Sequence, residues 1–253
     1  MADEGPIVEA IDLRKTYFGA IETPVLRGID LVVMPGEFVA VVGQSGSGKS
    51  TLLNLLGALD RPTGGILRVE GRDLAQLDDD ELATFRSERV GFVFQFHYLL
   101  DEFTCLENAL MPVWIRKGAP APEDVRRVRA LLERVGLGHR LNHRPNQMSG
   151  GEQQRTAIVR ALANQPRLLL ADEPTGNLDS QSGNEVFRLL QEMSRETGVA
   201  VVLVTHDDRL ACAADRILEI VDGRIRLPDA EALARTIGSP PASCGPVRSP
   251  SPP

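Results

Sequence analysis

Cysteine is scarce in this chain. Three thiols in 253 residues, Cys105, Cys212 and Cys244, stand far apart with no CxxC spacing. That argues against a disulfide scaffold or a zinc site and for a reducing compartment. Long apolar runs are missing too: none approaches the roughly 18–20 residues that span a bilayer. The acidic start MADEGPIVEA lacks the basic-then-apolar order of an export signal. The sequence therefore predicts a chain neither exported nor inserted by itself. Basic residues are outnumbered, 28 Lys+Arg against 35 Asp+Glu for a formal charge of −7, so no nucleic-acid partner is expected. Aromatics are only 4% of the chain, yet Phe92, Phe94, Phe96, Tyr98, Phe103 and Trp114 fall within one short stretch.

What is present reads as an ordinary globular protein, 42% hydrophobic and 25% charged, long enough for one large domain or two small ones. Short apolar runs alternate with helical patterns, the signature of an α/β fold. Strands are expected at 28–33, 37–42, 90–94, 167–171, 199–204 and 216–221. Helices are expected near 49–58, 123–135, 150–163, 181–196 and 229–236. Thr104-x-x-Glu107 and Ser149-x-x-Glu152 read as capping boxes. Residues 95–148 look like a helical insertion broken by Pro112, Pro120, Pro122 and Pro145. The last fifteen residues, SPPASCGPVRSPSPP, hold six prolines and read as a disordered tail.

The strongest chemical signal is GQSGSGKS, running from Gly43 through Gln44, Ser45, Gly46, Ser47, Gly48 and Lys49 to Ser50, after an apolar strand and opening a helix. It fits the phosphate-binding loop G-x-x-x-x-G-K-[ST] in the context that motif requires. Glycines let the backbone curl so that N–H groups point at phosphate oxygens, and the helix N-terminus that continues through Thr51 adds its positive end. Lys49 reaches the β- and γ-phosphates, and the Ser50 hydroxyl suits Mg²⁺. The second signal is RLLLADEP, an apolar strand delivering Asp172 and Glu173 at its C-terminal end. Asp172 suits a metal and Glu173 an attacking water. Alone, such a pair is commonplace; in a chain with a phosphate loop it marks a P-loop NTPase.

The third signal narrows the class. MSGGEQQR at 148–155 is a Ser-Gly-Gly turn opening a helix, placed between Lys49 and Asp172. With Gln95, DEPTGNLD at 172–179 and Thr205-His206, the order resembles the ATP-binding cassette (ABC) family from about residue 7 to 227. The resemblance implies a P-loop NTPase core with a mixed, largely parallel sheet, an antiparallel β portion near the N-terminus and an inserted helical subdomain at about 95–160. The whole would be a single cassette over 7–238, followed by the 239–253 tail. It implies that Tyr17 stacks on adenine and that Gln95 joins Ser50 and Asp172 at Mg²⁺. Glu173, His206, Gln95 and Lys49 would serve hydrolysis. In a head-to-tail homodimer Ser149 and Gly151 would reach the γ-phosphate from across the interface, and Gly150, Glu152 and Asp179 would also belong to the nucleotide-binding set. The signature has Met148 where the family commonly has Leu and Glu152 where it commonly has Gln, and neither change removes a phosphate contact.

The aromatic segment after Gln95 suits a groove that receives an apolar helix from a membrane permease. Phe92 and Phe94 are expected in the core, while Phe103 and Leu99 are expected to be less committed to it. The run GFVFQFHYLLDEFTCLENALMP is similar to the lipoprotein-releasing branch of the family, which also contains macrolide-exporter and cell-division cassettes. That likeness implies an ATPase peripheral to the cytoplasmic face of the inner membrane. The alternatives are a macrolide-type exporter, or a regulatory cassette that signals by ATP-driven dimerisation without transport.

Overall fold

A computed structural model describes residues 5–226; the expected helix at 229–236 and the 239–253 tail lie outside them. In chain order the elements are β1 (Val8–Tyr17), β2 (Thr23–Val33), β3 (Phe38–Val42), α1 (Lys49–Leu56), β4 (Gly64–Val69), β5 (Arg72–Asp73), α2 (Asp79–Arg89) and β6 (Val90–Phe94). They continue with α3 (Cys105–Lys117), α4 (Pro122–Arg134), α5 (Gly150–Leu162), β7 (Leu168–Asp172), α6 (Ser180–Thr197), β8 (Ala200–Val204), α7 (Asp208–Cys212), β9 (Arg216–Val221) and β10 (Arg224–Arg226). These fall into two compact units, one holding the described residues up to Gln76 and from Val202 onward, the other Leu77–Val201.

The first unit contains a four-stranded antiparallel sheet in the order β2-β1-β4-β5. Val8 pairs with Val33 on one side and Val69 on the other. β2 alternates in burial, with Ile29, Leu31 and Val33 inside and Asp30 and Val32 outside, the period of a strand with one wet face. β3 runs FVAVV almost wholly buried and pairs in parallel with β9, which pairs antiparallel with β10. Thr205 N donates to Val41 O at the end of β8. The second unit holds parallel β6 and β7, in register from Val90 with Leu168 to Phe94 with Asp172, together with α2 to α6. Parallel and antiparallel pairs thus coexist in the α/β fold, with an antiparallel sheet near the N-terminus.

Helix starts follow the side-chain chemistry. Capping boxes open α2 (Asp78, Glu81), α3 (Thr104, Glu107) and α5 (Ser149, Glu152), and Pro122 occupies the first turn of α4. Pro112 departs from expectation, for it lies inside α3 and the helix runs on to Lys117. Its missing N–H removes one helical bond, and the Asn164 amide donates to its carbonyl at 3.0 Å. Phe92 and Phe94 also differ: they are half-buried and stack on one another at 5.6 Å, since residues two apart share a strand face. Phe103 is half-buried against Trp114 at 6.0 Å, while Phe96, Tyr98, Leu100 and Ile115 are exposed. Among the described residues no helix is long and apolar enough to cross a membrane.

Candidate active site

In the first unit β3 runs directly into the phosphate loop. Gly43 holds φ +146°, and a Cβ there would sit 2.3 Å from the Ile220 carbonyl oxygen, so only glycine fits. Gly46 and Gly48 also take left-handed angles. Gly48 brings no side chain to cap α1, which leaves the N–H groups of the first turn facing the loop, the arrangement that binds anions. Lys49 Nζ folds back to donate to the carbonyls of Gly43 and Gln44 at 2.8 and 2.9 Å. Gln44, Ser45 and Gly46 form the exposed crest. The buried Ser47 hydroxyl has no hydrogen-bond partner among the described residues. An orphaned buried donor beside curled N–H groups fits an oxyanion of a phosphate. Ser50 is exposed and Thr51 half-buried on the first turn of α1.

The same unit carries Tyr17 at the end of β1 and His206 just past β8. Tyr17 is 42% exposed, and its hydroxyl donates to Asp60 Oδ2 at 3.1 Å. His206 is exposed between Thr205, which is buried, and Asp207, whose carboxylate caps α7.

In the second unit the β6–β7 register sets Gln95 and Glu173 one residue beyond the same sheet edge. Gln95 Nε2 donates to Asn177 Oδ1 at 3.2 Å, and Asn177 Nδ2 returns a bond to the Gln95 carbonyl at 3.1 Å. Glu173 has φ +47°, uncommon for a residue with a side chain and characteristic of functional turns. Its carbonyl accepts from Gly176 N at 3.0 Å, closing the turn that presents the carboxylate.

Ser149 and Gly150 stand exposed at the start of α5. Ser149 N donates to Glu152 Oε2 at 2.8 Å, and Glu152 N donates to Ser149 Oγ at 3.3 Å. Glu152 also accepts from Arg140 Nε at 2.8 Å. Burial alone would raise its carboxyl, but the Ser149 N–H and Arg140 outweigh that and hold it below the usual range. Glu152 is buried and Gly151 is buried beside Ser182, so of the signature residues it is Ser149 and Gly150 that face outward. Asp179 caps α6, accepting from the N–H groups of Gln181 and Ser182 at 3.0 Å. The Ser182 N–H and hydroxyl hold its carboxyl below the usual range.

The structure adds residues that sequence reasoning passed over. His97 Nε2 bonds the Gly150 carbonyl at 2.9 Å, tying the segment after Gln95 to the signature turn. Arg160 donates to the carbonyls of His97 and Tyr98, each at 2.6 Å. Buried Asn108 accepts from Leu100 N and donates to the carbonyls of Leu100, Phe103 and Thr104. Asn177 and His97 stand inside motifs quoted above, but their partners lie too far along the chain to be read from spacing.

The family model described as "ABC transporter" matches residues 26–176. The lipoprotein-releasing system ATP-binding protein LolD of Anaeromyxobacter dehalogenans is 57% identical over 221 residues, covering 87% of this chain and 92% of that protein. The macrolide export ATP-binding/permease protein MacB of Syntrophobacter fumaroxidans is 49% identical over 96% of this chain, which spans 34% of that larger protein. A solved dimeric post-hydrolysis state of the ATP-binding cassette MJ0796, bound to ADP and Pi, matches with a TM-score of 0.77 and 43% identity over 87% of this chain and 96% of that one. The loop whose Gly43 admits no side chain, the Ser-Gly-Gly helix start and the Glu173 turn all fall within the matched residues 26–176, and the chain belongs to the ABC transporter family.

Proposed function

We propose that the chain is the ATP-hydrolysing subunit of a membrane transporter that releases lipoproteins from the inner membrane. The observation that carries the enzymatic part is the phosphate loop, where an uncapped helix start, a folded-back Lys49 and the orphaned Ser47 hydroxyl converge. Lys49 exchanges its two carbonyl bonds for phosphate oxygens, and Tyr17 takes the adenine ring. Glu173, aimed by its strained turn, accepts a proton from the attacking water. Gln95 and His206 hold the γ-phosphate end in place. The donor set of Ser50, Gln95 and Asp172 is all oxygen, the hard chemistry suited to Mg²⁺, which needs few protein ligands beside nucleotide phosphates. When bound there, the ion neutralises the phosphate charge that builds as the terminal group departs.

One chain holds one phosphate loop and one signature, so two copies meet head to tail and the exposed Ser149 and Gly150 of each complete the other's site. The cassette spans 7–238, with its helical part at about 95–160. Membrane subunits dock on the exposed Phe96, Tyr98, Leu100 and Ile115, holding the chain at the cytoplasmic face. The likeness to LolD over nearly the full length of both chains supports release of lipoproteins. The likeness to MacB supports the second reading, a macrolide-type exporter.

The test is Glu173→Gln, which keeps shape and hydrogen bonding and removes the base. Removing a general base lowers the rate by about 10²–10⁴. The variant is expected to bind ATP and to run as a dimer by size exclusion with ATP and Mg²⁺. Hydrolysis near the wild-type rate would refute the assignment.

A further inference from the structure

Around Tyr17 the chain builds a device that its nucleotide chemistry alone does not require. Lys15 is buried, 7% exposed, on β1. Its Nζ donates to Asp60 Oδ1 at 2.5 Å and to the Arg61 carbonyl at 2.8 Å. The same Asp60 oxygen accepts from Arg61 N at 2.7 Å, and its other oxygen takes the Tyr17 hydroxyl at 3.1 Å. The Lys15 ammonium lies 4.8 Å from the centroid of the Tyr17 ring. Burying an ammonium is costly unless it is paired, and here the pair serves the aromatic side chain beside it.

We propose that Asp60, held by Lys15, is a positioning residue that fixes the Tyr17 ring for stacking and so sets affinity for the base of the nucleotide rather than for its phosphates. This rests on the reading of Tyr17 as the adenine platform. A tyrosine at a strand end otherwise swings about χ1 and χ2 and spends rotamer entropy on binding. Tied by its hydroxyl and covered on one side by a cation within cation–π distance, the ring is preorganised before the base arrives. The carboxylate that ties it is held ionised: burial would raise Asp60, but Lys15, the Arg61 N–H and the Tyr17 hydroxyl outweigh it. Asp60 lies 43 residues from Tyr17, and the phosphate loop falls between them in sequence, so the link exists only in the fold.

The experiment compares ADP, which the enzyme does not hydrolyse, with pyrophosphate, which has phosphates and no base, by calorimetry and competition on the full chain. The variants are Tyr17→Ala, Tyr17→Phe, Asp60→Asn and the double Tyr17→Phe/Asp60→Asn. The bond lost is internal to the chain, so what reaches the ligand is the cost of ordering the Tyr17 ring on binding, about three- to tenfold in affinity. Tyr17→Phe and Asp60→Asn are each expected to lose that much for ADP and nothing for pyrophosphate. The double variant should lose no more than either single. If Asp60→Asn weakens both ligands alike, or if Tyr17→Phe binds ADP as the wild type does, the positioning role is overturned. If Tyr17→Ala leaves ADP affinity unchanged, the adenine platform itself is wrong. Should Asp60→Asn fail to fold, Tyr17→Phe alone decides the matter.

Discussion

Two glycines of the phosphate loop that look equivalent in the sequence are not equivalent in space. Gly46, at φ +79°, would place a Cβ in open space, whereas Gly43 would drive one to 2.3 Å from backbone oxygen of Ile220. Gly46→Ala therefore carries only the cost of a left-handed residue, about 1–2 kcal/mol. Gly43→Ala must move β9 or the loop, and ADP titration is expected to show binding lost in Gly43→Ala and largely kept in Gly46→Ala. Equal losses would mean that the close contact is relieved at no cost. The spacing of these glycines, Lys49 and the Asp172-Glu173 pair was legible because each stands within a contiguous motif. The twisted backbone at Glu173 was not, since nothing in the letters of Asp-Glu-Pro records a φ of +47°. The pairing of Glu152 with Ser149 was legible as a capping box, whereas its bond to Arg140 was not; the nucleotide contact that the family resemblance implied for Glu152 is not what its buried carboxylate makes.

Among the elements, apolar strands such as β3 and β7 announced themselves, while β1 did not. Its sequence VEAIDLRKTY mixes charge into every few positions because one face stays wet, and its pairing partners supply the order that its own pattern lacks. α2, DDELATFRSER, buries only Leu82 and Phe85, too narrow a stripe to detect by period. The helix α4 owes its start to Asp124, whose side chain is 1% exposed and sits between Arg127 at 2.8 Å and Lys117 at 3.2 Å. The Arg127 hydrogen bond, ahead of burial, leaves its carboxyl below the ordinary range. Asp124→Asn is expected to cost about 1.5–3 kcal/mol, the worth of charge-assisted bonds. A depressed carboxyl stabilises the fold fully above its unfolded value near 3.8 and ceases to do so as pH falls through its folded value. The gap between wild-type and Asp124→Asn melting curves should thus hold from pH 5 to 8 and narrow below about pH 3.8. A gap independent of pH would remove Asp124 from that role. The segment after β6 carries a further test. Phe103 rests on Trp114, so the outward Phe96, 58% exposed, is the better probe of docking. Burying an unpaired charge at an interface costs about 2–5 kcal/mol. Phe96→Asp is expected to melt and bind ADP normally while failing to co-purify with the membrane subunits; full co-purification would move the docking surface elsewhere.

At the scale of the whole molecule, the proposed completion of the site by a second copy predicts a separation of binding from turnover. Ser149→Arg adds bulk and charge at the exposed start of α5, so a single chain is expected to bind fluorescent ATP nearly as before, while hydrolysis disappears. Parallel loss of both would place Ser149 in its own chain's pocket. A different consequence follows from how the segment at 97–104 is fastened. Arg160 and Asn108 grip it by backbone groups of His97, Tyr98, Leu100, Phe103 and Thr104, and a grip on the main chain is blind to which side chains hang from it. The exposed side chain of Leu100 thus takes no part in fixing the loop's path, whereas Tyr98, at φ +47° and packed against Phe94 and Phe96, is more constrained. If the membrane partner docks there as proposed, such a cassette can change partners by substitution of Phe96 and Leu100 while keeping its phosphate loop as it is.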